Sequence, residues 1–425
     1  MANNKLAVYL YGNQIGNLVP TRTGARFSFL NKIAGSMLGS PMLSTALRVQ
    51  ASPFDTLQTR NWFTGLLPED ARLSELCRFF GVPEDDYLAI LEELGWECAG
   101  AVSVMPGKVA AVAHKISEES LKLSKQELAQ RLEALPAHPF DSASTLRVSL
   151  GGFQEKLCVV VRGCLSITDG YAQIHEVGMP LDGALSTHIL KPQPERFPGM
   201  IEGEAWAMAV ASIVTPTAQT ALLDIEGAPI TLMIRRFDRR HDDGKLCRIH
   251  QEDCAQAMGL GPLQKYAASG TPKKSDPSYL RIATLLKSYS VDPEEQLKQL
   301  LSQMIVNAVL GNTDAHAKNY AYLHPDESTI CLAPLYDVVP AREITPRVVD
   351  MGMRIGGRIR IDRIGYEQVI DESTSWGLSS AVSQIVLQET LEGIREGITY
   401  ANKLYPKPGT LHTQPTLKRL ESFLS

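Results

Sequence analysis

Residues 293–319 read PEEQLKQLLSQMIVNAVLGNTDAHAKN. Over Pro293 to Leu310, the apolar Leu297, Leu300, Leu301, Met304, Ile305, Ala308 and Val309 recur at i, i+3 and i+4, the pattern of a helix with one buried face. Gly311 stops that helix. The mostly polar run 311–319 follows at once, and the end of a buried helix is a common place for a working loop. Within it Asp314 and Asn319 have the D-x-x-x-x-N spacing of a kinase catalytic loop, where the Asp orients a hydroxyl and the Asn holds Mg²⁺. Spacing alone carries little weight in a chain with 20 Asp and 10 Asn. His316 has the chemistry of a metal ligand, but no second histidine lies near it in sequence.

Three further features bear on this loop. Asp337 lies in the apolar run CLAPLYDVVP (331–340), where a carboxylate is costly to bury unless it is paired or bound to a cation. It follows Asn319 closely enough to complete a Mg²⁺ site, though a structural Asp capping a turn before Pro340 reads equally well. Lys191 ends the strand-like run THILK, and Glu204 follows on a helical stretch, Glu202 to about Ile213. A lysine so placed can reach nucleotide phosphates, with Glu204 holding it; alone, each also reads as a solvated charge. In SLGGFQEK (149–156), Gly151 and Gly152 let backbone N–H groups approach a phosphate, or simply make a hairpin turn. No G-x-x-x-x-G-K-[ST] is present, so a P-loop is excluded, and the absence of Asp-Phe-Gly excludes a conventional protein kinase.

The rest of the chain divides by pattern. Leu6 to Val19 reads as two strands turning at Gly12-Asn13, and Leu73 to Phe80 and Tyr87 to Leu94 as short helices. Ser124 to Glu127 is a capping box opening a helix through about Leu135. LRVSL, KLCVVVRG, THILK and TLMIRRF are short β-branched runs of strand length, whereas helical pattern dominates from Gln251 onward. The segment from Ala268 to Tyr279 reads as a polar, Pro-bearing mobile loop. These shifts divide the chain into a small β-rich unit (1–105), a helical connector (106–145), a β-rich lobe (146–250) and a helical lobe (251–425).

With 425 residues, 44% hydrophobic and 21% charged, the chain has enough material for two or three cores and is neither collagen-like nor disordered. Lys+Arg (42) falls below Asp+Glu (47), so no global basic field draws it to nucleic acid or anionic membrane. The seven cysteines form no C-x-x-C pair or zinc-finger spacing and fit a reducing compartment. The N-terminal apolar run is too short for a signal peptide and no later run spans a bilayer, so the expectation is a soluble, cytoplasmic protein without a membrane partner.

SLGGFQEK, HILK, RRFDR, HQEDCAQAMG, GNTDAHAKN and LYDVVP, in that order, together resemble the HipA family of bacterial toxin kinases. The resemblance implies an α+β, protein-kinase-like two-lobed fold: a β-rich N-lobe with an extra small N-terminal domain, and an all-α C-lobe. It implies a serine/threonine kinase using ATP and Mg²⁺, with Asp314 as catalytic base and Asn319 and Asp337 as Mg²⁺ ligands. Gly151, Gly152, Phe153, Gln154, Glu155 and Lys156 then match the phosphate-covering loop, and Lys191 the phosphate-binding lysine. Arg235, Arg236 and Phe237 match the hinge whose backbone meets adenine, and His316, Ala317, Lys318 and Tyr336 line the same site. Ser149 matches the autophosphorylation serine whose modification displaces the loop and shuts the kinase down.

By the same resemblance the substrate is an aminoacyl-tRNA synthetase, glutamyl-tRNA synthetase above all, so that translation halts and persistence follows. The partner is a HipB-like helix-turn-helix antitoxin, through which operator DNA is mainly reached. Phe153 departs from the small residue often found there, and Arg235 from the hinge Glu, but neither touches Asp314, Asn319 or Asp337. Two other readings stay open: a small-molecule phosphotransferase on the same fold, and a non-enzymatic corepressor partner of a DNA-binding antitoxin.

Overall fold

The computed structural model describes residues 5–107, 120–135, 155–181 and 184–424, apart from the side chains at positions 70, 71, 164 and 165. The N-terminal domain is built on strands β1 (Leu6–Leu10), β2 (Asn13–Thr21), β3 (Gly24–Phe29) and β4 (Val102–Pro106), in antiparallel order β3-β2-β1-β4. β1 and β2 meet at Leu10 and Asn13, so the turn is the two-residue Tyr11-Gly12, both at positive φ, which matches strand twist. All of β1 is buried, because Leu6, Val8 and Leu10 face the domain core while Ala7 and Tyr9 pack with Met105 and Trp96 on the other side. Helices α1 (Asn31–Ser36), α2 (Thr56–Thr64), α3 (Asp70–Phe80) and α4 (Tyr87–Leu94) close the core around Phe27, Trp62 and Phe63.

The expected connector is not wholly helical. β5 (Ser120–Leu123) precedes α5 (Lys125–Ala134) and pairs with the next sheet as an edge strand. Four residues with exposed Leu121 and Lys122 give too short an alternation to be read as a strand. The capping box is in place, with the Ser124 hydroxyl accepting from the Glu127 N–H. The N-lobe sheet adds β6 (Leu157–Thr168), β7 (Tyr171–Pro180), β8 (His188–Pro192), β9 (Thr220–Leu223) and β10 (Thr231–Arg235), in the order β5-β7-β6-β8-β10-β9. α6 (Met200–Val214) lacks a polar face because it lies between this sheet and the C-lobe, where Ala205, Trp206, Val210 and Ala211 join one core with residues of both.

The C-lobe is helical in its bulk: α7 (Cys254–Ala257), α8 (Tyr279–Tyr289), α9 (Pro293–Val309), α10 (Ala341–Ile344), α11 (Tyr366–Ser375), α12 (Ser380–Leu404) and α13 (Pro406–Glu421). It also carries β strands, where wholly α structure was expected. After the hairpin β11 (Arg239–Asp242)–β12 (Lys245–Arg248), β13 (His250–Asp253), β14 (Ala321–His324) and β15 (Cys331–Leu332) form a three-stranded sheet, and β16 (Asp350–Ile355) pairs with β17 (Arg358–Arg360). These strands are two to six residues long, and β13 pairs with β14 from far away in the chain, His250 opposite His324, so periodicity does not reveal them. No helix among the described residues is long and apolar enough to cross a membrane.

Candidate active site

α9 delivers the 311–319 loop. Asp292 caps its first turn by accepting from the Glu295 N–H at 3.2 Å, and Leu300, Leu301, Met304, Ile305 and Val309 are fully buried. At Gly311 φ is +77°, so the chain leaves the helix in a conformation other residues resist. The loop then closes on itself. The His316 N–H donates to the Asp314 carbonyl at 2.7 Å, the Asn319 N–H to the His316 carbonyl at 2.9 Å, and the Asn319 side-chain amide to the Asp314 carbonyl at 3.1 Å. That last bond spends the NH₂ of Asn319 and leaves its Oδ1, a hard oxygen, for a cation.

The Asp314 carboxylate is open to solvent and accepts a hydrogen bond from the Tyr266 hydroxyl at 2.7 Å. The protein walls around it raise its pKa above the usual aspartate value; Tyr266 works against this and Asp337 adds to it. His316 packs edge-on against Tyr266, ring centroids 4.8 Å apart, and burial together with Lys265 pulls it down to about 3, so it is neutral.

The second half of the site is ionic. Lys191, on β8, is 6% exposed and donates to Glu204 Oε1 at 2.8 Å and to the Asp337 carboxylate. Glu204, on α6, is fully buried. Burial pushes Glu204 up, to about 7, and Lys191 opposes that rise. Burial also works against ionised Asp337, but Lys191 outweighs it and, with Lys156 and His316, holds the carboxyl at about 2. Asp337 sits at φ +61°, left-handed for a residue with a Cβ, a conformation that costs about 1–3 kcal/mol and clusters at functional sites. The Asn312 side chain holds it there, donating to the Asp337 carbonyl at 3.1 Å and to Asn307 Oδ1 at 2.7 Å.

Asp314, Asn319, Asp337, Lys191, Glu204, Lys156, His316, Lys318, Tyr336 and Arg235 to Phe237 all line one cleft of about 1630 Å³. Burial, with Lys191 beside it, lowers the Lys156 ammonium to about 8. The remaining candidates are placed as follows. Ala317 is fully buried in the C-lobe core rather than lining the cleft. Lys318 turns its ammonium to Asp253 at 2.6 Å and to the Gly65 carbonyl at 3.1 Å. Arg236 is 3% exposed and its guanidinium is committed to Glu97 and Asp238, while its N–H donates to the Thr187 carbonyl. Arg235 is exposed and bonds Gln219, and Phe237 packs on Tyr336 at 5.5 Å. Glu155 pairs with Arg72. Ser149 and Gly151 to Gln154 lie outside the described residues.

Among the described residues no group of three His, Cys, Asp or Glu is placed to hold a metal. Asn319 Oδ1 and the Asp337 carboxylate nevertheless fit Mg²⁺, which takes one or two protein oxygens and completes its shell with water and phosphate. Tyr266 and Asn312 were not legible in the sequence: Tyr266 stands in a segment without periodicity, and Asn312 lies inside the 311–319 loop at a position that no motif marks.

The loop is also packed from behind. A methyl group at Gly352, on β16, would lie 2.6 Å from Ala315 C and O and from His316 N. Gly352→Ala should therefore destabilise the protein by about 1–3 kcal/mol. Urea unfolding should report a lower midpoint at an unchanged m-value; an unchanged midpoint would mean the loop yields freely.

Residues 148–398 match the family model "HipA-like C-terminal domain", and residues 6–105 match "HipA N-terminal domain". A protein described as "Putative kinase Y4mE" from Sinorhizobium fredii is 35% identical over 339 residues, covering 78% of this chain and 76% of its own length. The "Serine/threonine-protein kinase toxin HipA" of Shewanella oneidensis is 26% identical over 301 residues, 68% of this chain and 65% of its own. A solved chain from the Shewanella oneidensis MR-1 complex of HipA, HipB and operator DNA shares the fold. It has a TM-score of 0.80 and 22% identity, and the match covers 99% of this chain and 97% of that one.

Proposed function

This chain belongs to the HipA family, and from that premise we propose that it is a serine/threonine protein kinase, the toxin of a toxin–antitoxin pair. The observation that carries the reading is the ionic chain Glu204–Lys191–Asp337 in one cleft with Asp314 and Asn319. A relative named as a serine/threonine-protein kinase toxin supports it. Bound Mg·ATP supplies the phosphoryl group and the cation that shields its charge. Asn319 Oδ1 and the Asp337 carboxylate hold that cation, Lys191 neutralises phosphate charge with Lys156 beside it, and Asp314 orients a protein serine hydroxyl and takes its proton.

The substrate we propose is an aminoacyl-tRNA synthetase, glutamyl-tRNA synthetase first, whose modification stops translation and favours persistence. The antitoxin is a HipB-like helix-turn-helix protein, and operator DNA is reached mainly through it, in keeping with a net charge of −5. A cytoplasmic location accords with the free state of Cys77, Cys98, Cys158, Cys247, Cys254 and Cys331. Ser149 is the autophosphorylation site. A phosphate there adds about −1.5 to −2 charge where ATP's own phosphates bind, and so switches the enzyme off.

Intact-protein mass spectrometry after incubation with Mg·ATP tests this. Wild type that starts unmodified should gain one phosphate at Ser149, and Asp314→Ala none. Unmodified starting protein that neither gains phosphate nor phosphorylates a synthetase would overturn the kinase reading.

A further inference from the structure

Helix α3 of the N-terminal domain begins between two charged residues that reach opposite walls of the cleft. Glu69, the residue preceding α3, is 6% exposed, and its carboxylate accepts from Lys265 and lies 3.6 Å from Lys318 Nζ. Although burial pushes its pKa up, Lys318 and Lys265 outweigh this and keep Glu69 ionised. Lys265 precedes Tyr266, which bonds Asp314, and Lys318 precedes Asn319. Three residues after Glu69, in the first turn of α3, Arg72 is 9% exposed. Its guanidinium pairs with the Glu155 carboxylate and donates to the Lys156 carbonyl at 3.2 Å. Lys156 immediately precedes β6 and lines the cleft with Lys191.

We infer that Glu69 and Arg72 are positioning residues for phosphoryl transfer. Four residues at the start of α3 in the N-terminal domain, 69–72, clasp the catalytic loop with one side chain and the phosphate-facing edge of the N-lobe with the other. They thereby fix the distance across which Lys156 and Lys191 meet Asp314 and Asn319. The small domain is then a working part of the kinase rather than an appendage. Ordinary interface packing would not need two nearly buried charges, each joined to a residue adjoining a cleft side chain. The guanidinium is suited to this because one planar fork holds both a carboxylate and a carbonyl. The inference rests on the kinase reading for its catalytic consequence, but not for the clasp itself.

The test uses full-length wild type, Arg72→Ala, Arg72→Lys and Glu69→Gln, with hydrogen exchange measured over 155–160 and 314–320 and transfer kinetics measured with Mg·ATP and a synthetase. Arg72→Ala should speed exchange over 155–160 and lower kcat/KM for ATP roughly 10–100-fold, the scale of an ångström-sized misplacement. Arg72→Lys, which keeps the ion pair but not the fork, should recover part of it. Glu69→Gln should speed exchange over 314–320 and act mainly on kcat. Unchanged exchange and kinetics in Arg72→Ala and Glu69→Gln would overturn the clasp. So would losses that merely track urea midpoints without rescue by lysine. If wild type transfers no phosphate, the kinase reading falls and exchange decides alone: faster exchange in the two variants upholds the clasp, and unchanged exchange removes it.

Discussion

Asp314→Ala should slow phosphoryl transfer roughly 10²–10⁴-fold, the usual contribution of a general base, while Mg·ATP still binds. The two effects separate because the two carboxylates have different partners. Asp337 is engaged by Lys191 and held ionised at about 2, as a cation ligand should be. Asp314 is exposed to the cleft, has a neutral hydroxyl as its hydrogen-bond partner, and is raised above the ordinary aspartate range by the surrounding protein. A carboxylate of that kind accepts a proton more readily, and the Tyr266 hydroxyl occupies the place a substrate hydroxyl would take against it. Calorimetry of nucleotide binding alongside single-turnover transfer checks the separation. Transfer at the wild-type rate would move the base elsewhere, and loss of nucleotide binding would make Asp314 a metal or structural residue instead. The sign of the pH effect follows. The base works only when deprotonated, so the rate should fall as pH drops through a pKa above the usual aspartate value, which in wild type sets the acid limb.

What could be read in the sequence was what its neighbours determine. The α9 helix, its stop at Gly311 and the closed turn from Asp314 to Asn319 depend on residues within a few positions, and their pattern is visible without a fold. Lys191 and Glu204 were legible as strand end and helix, but not as a pair with Asp337, because that contact spans 146 positions. What the other side chains do was hidden for the same reason. Ala317 and Lys318 stand in the loop that faces the cleft, yet the loop's short 3₁₀ turn sends Ala317 into the core and the Lys318 ammonium toward Asp253. Arg236 occupies the hinge by position, but its charge answers to Glu97, 139 residues earlier. The N-terminal domain could be read as an extra unit; that it supplies partners to the cleft could not, since Glu69 and Arg72 carry no motif.

Glu97→Ala should cost about 3–5 kcal/mol of folding stability, the range for breaking a buried ion pair by removing one partner. Glu97 is 2% exposed at the end of the N-terminal domain's helical layer. Its Oε1 accepts from Arg236 at 3.1 Å, Arg239 at 2.8 Å and the Ser186 N–H and hydroxyl at 3.0 and 2.9 Å. Asp238 neutralises the same two guanidinium groups, at 2.6 and 3.0 Å, and accepts from the Gly100 N–H at 2.8 Å. Two acids thus face Arg236 and Arg239, with Arg248 near enough to act on Glu97 as well, and deleting Glu97 leaves one carboxylate for the two buried arginines and an orphaned Ser186 N–H. Because Glu97 and Gly100 belong to one domain and Arg236 and Arg239 to the other, the loss should fall on their joint unfolding. Glu97→Gln, which keeps the acceptor but not the charge, should separate packing from electrostatics. Burial pushes both carboxyls up, but Arg236 and Arg239 outweigh it and hold Glu97 and Asp238 below their ordinary values of 4.5 and 3.8. Their stabilisation is accordingly complete above those values and is lost as pH falls through the lower, folded ones. Urea unfolding at pH 7 and at pH 3 should therefore show wild type losing stability with acid more steeply than Glu97→Ala. Equal slopes would mean that the cluster is held by packing alone and that the arginines find water when Glu97 is gone.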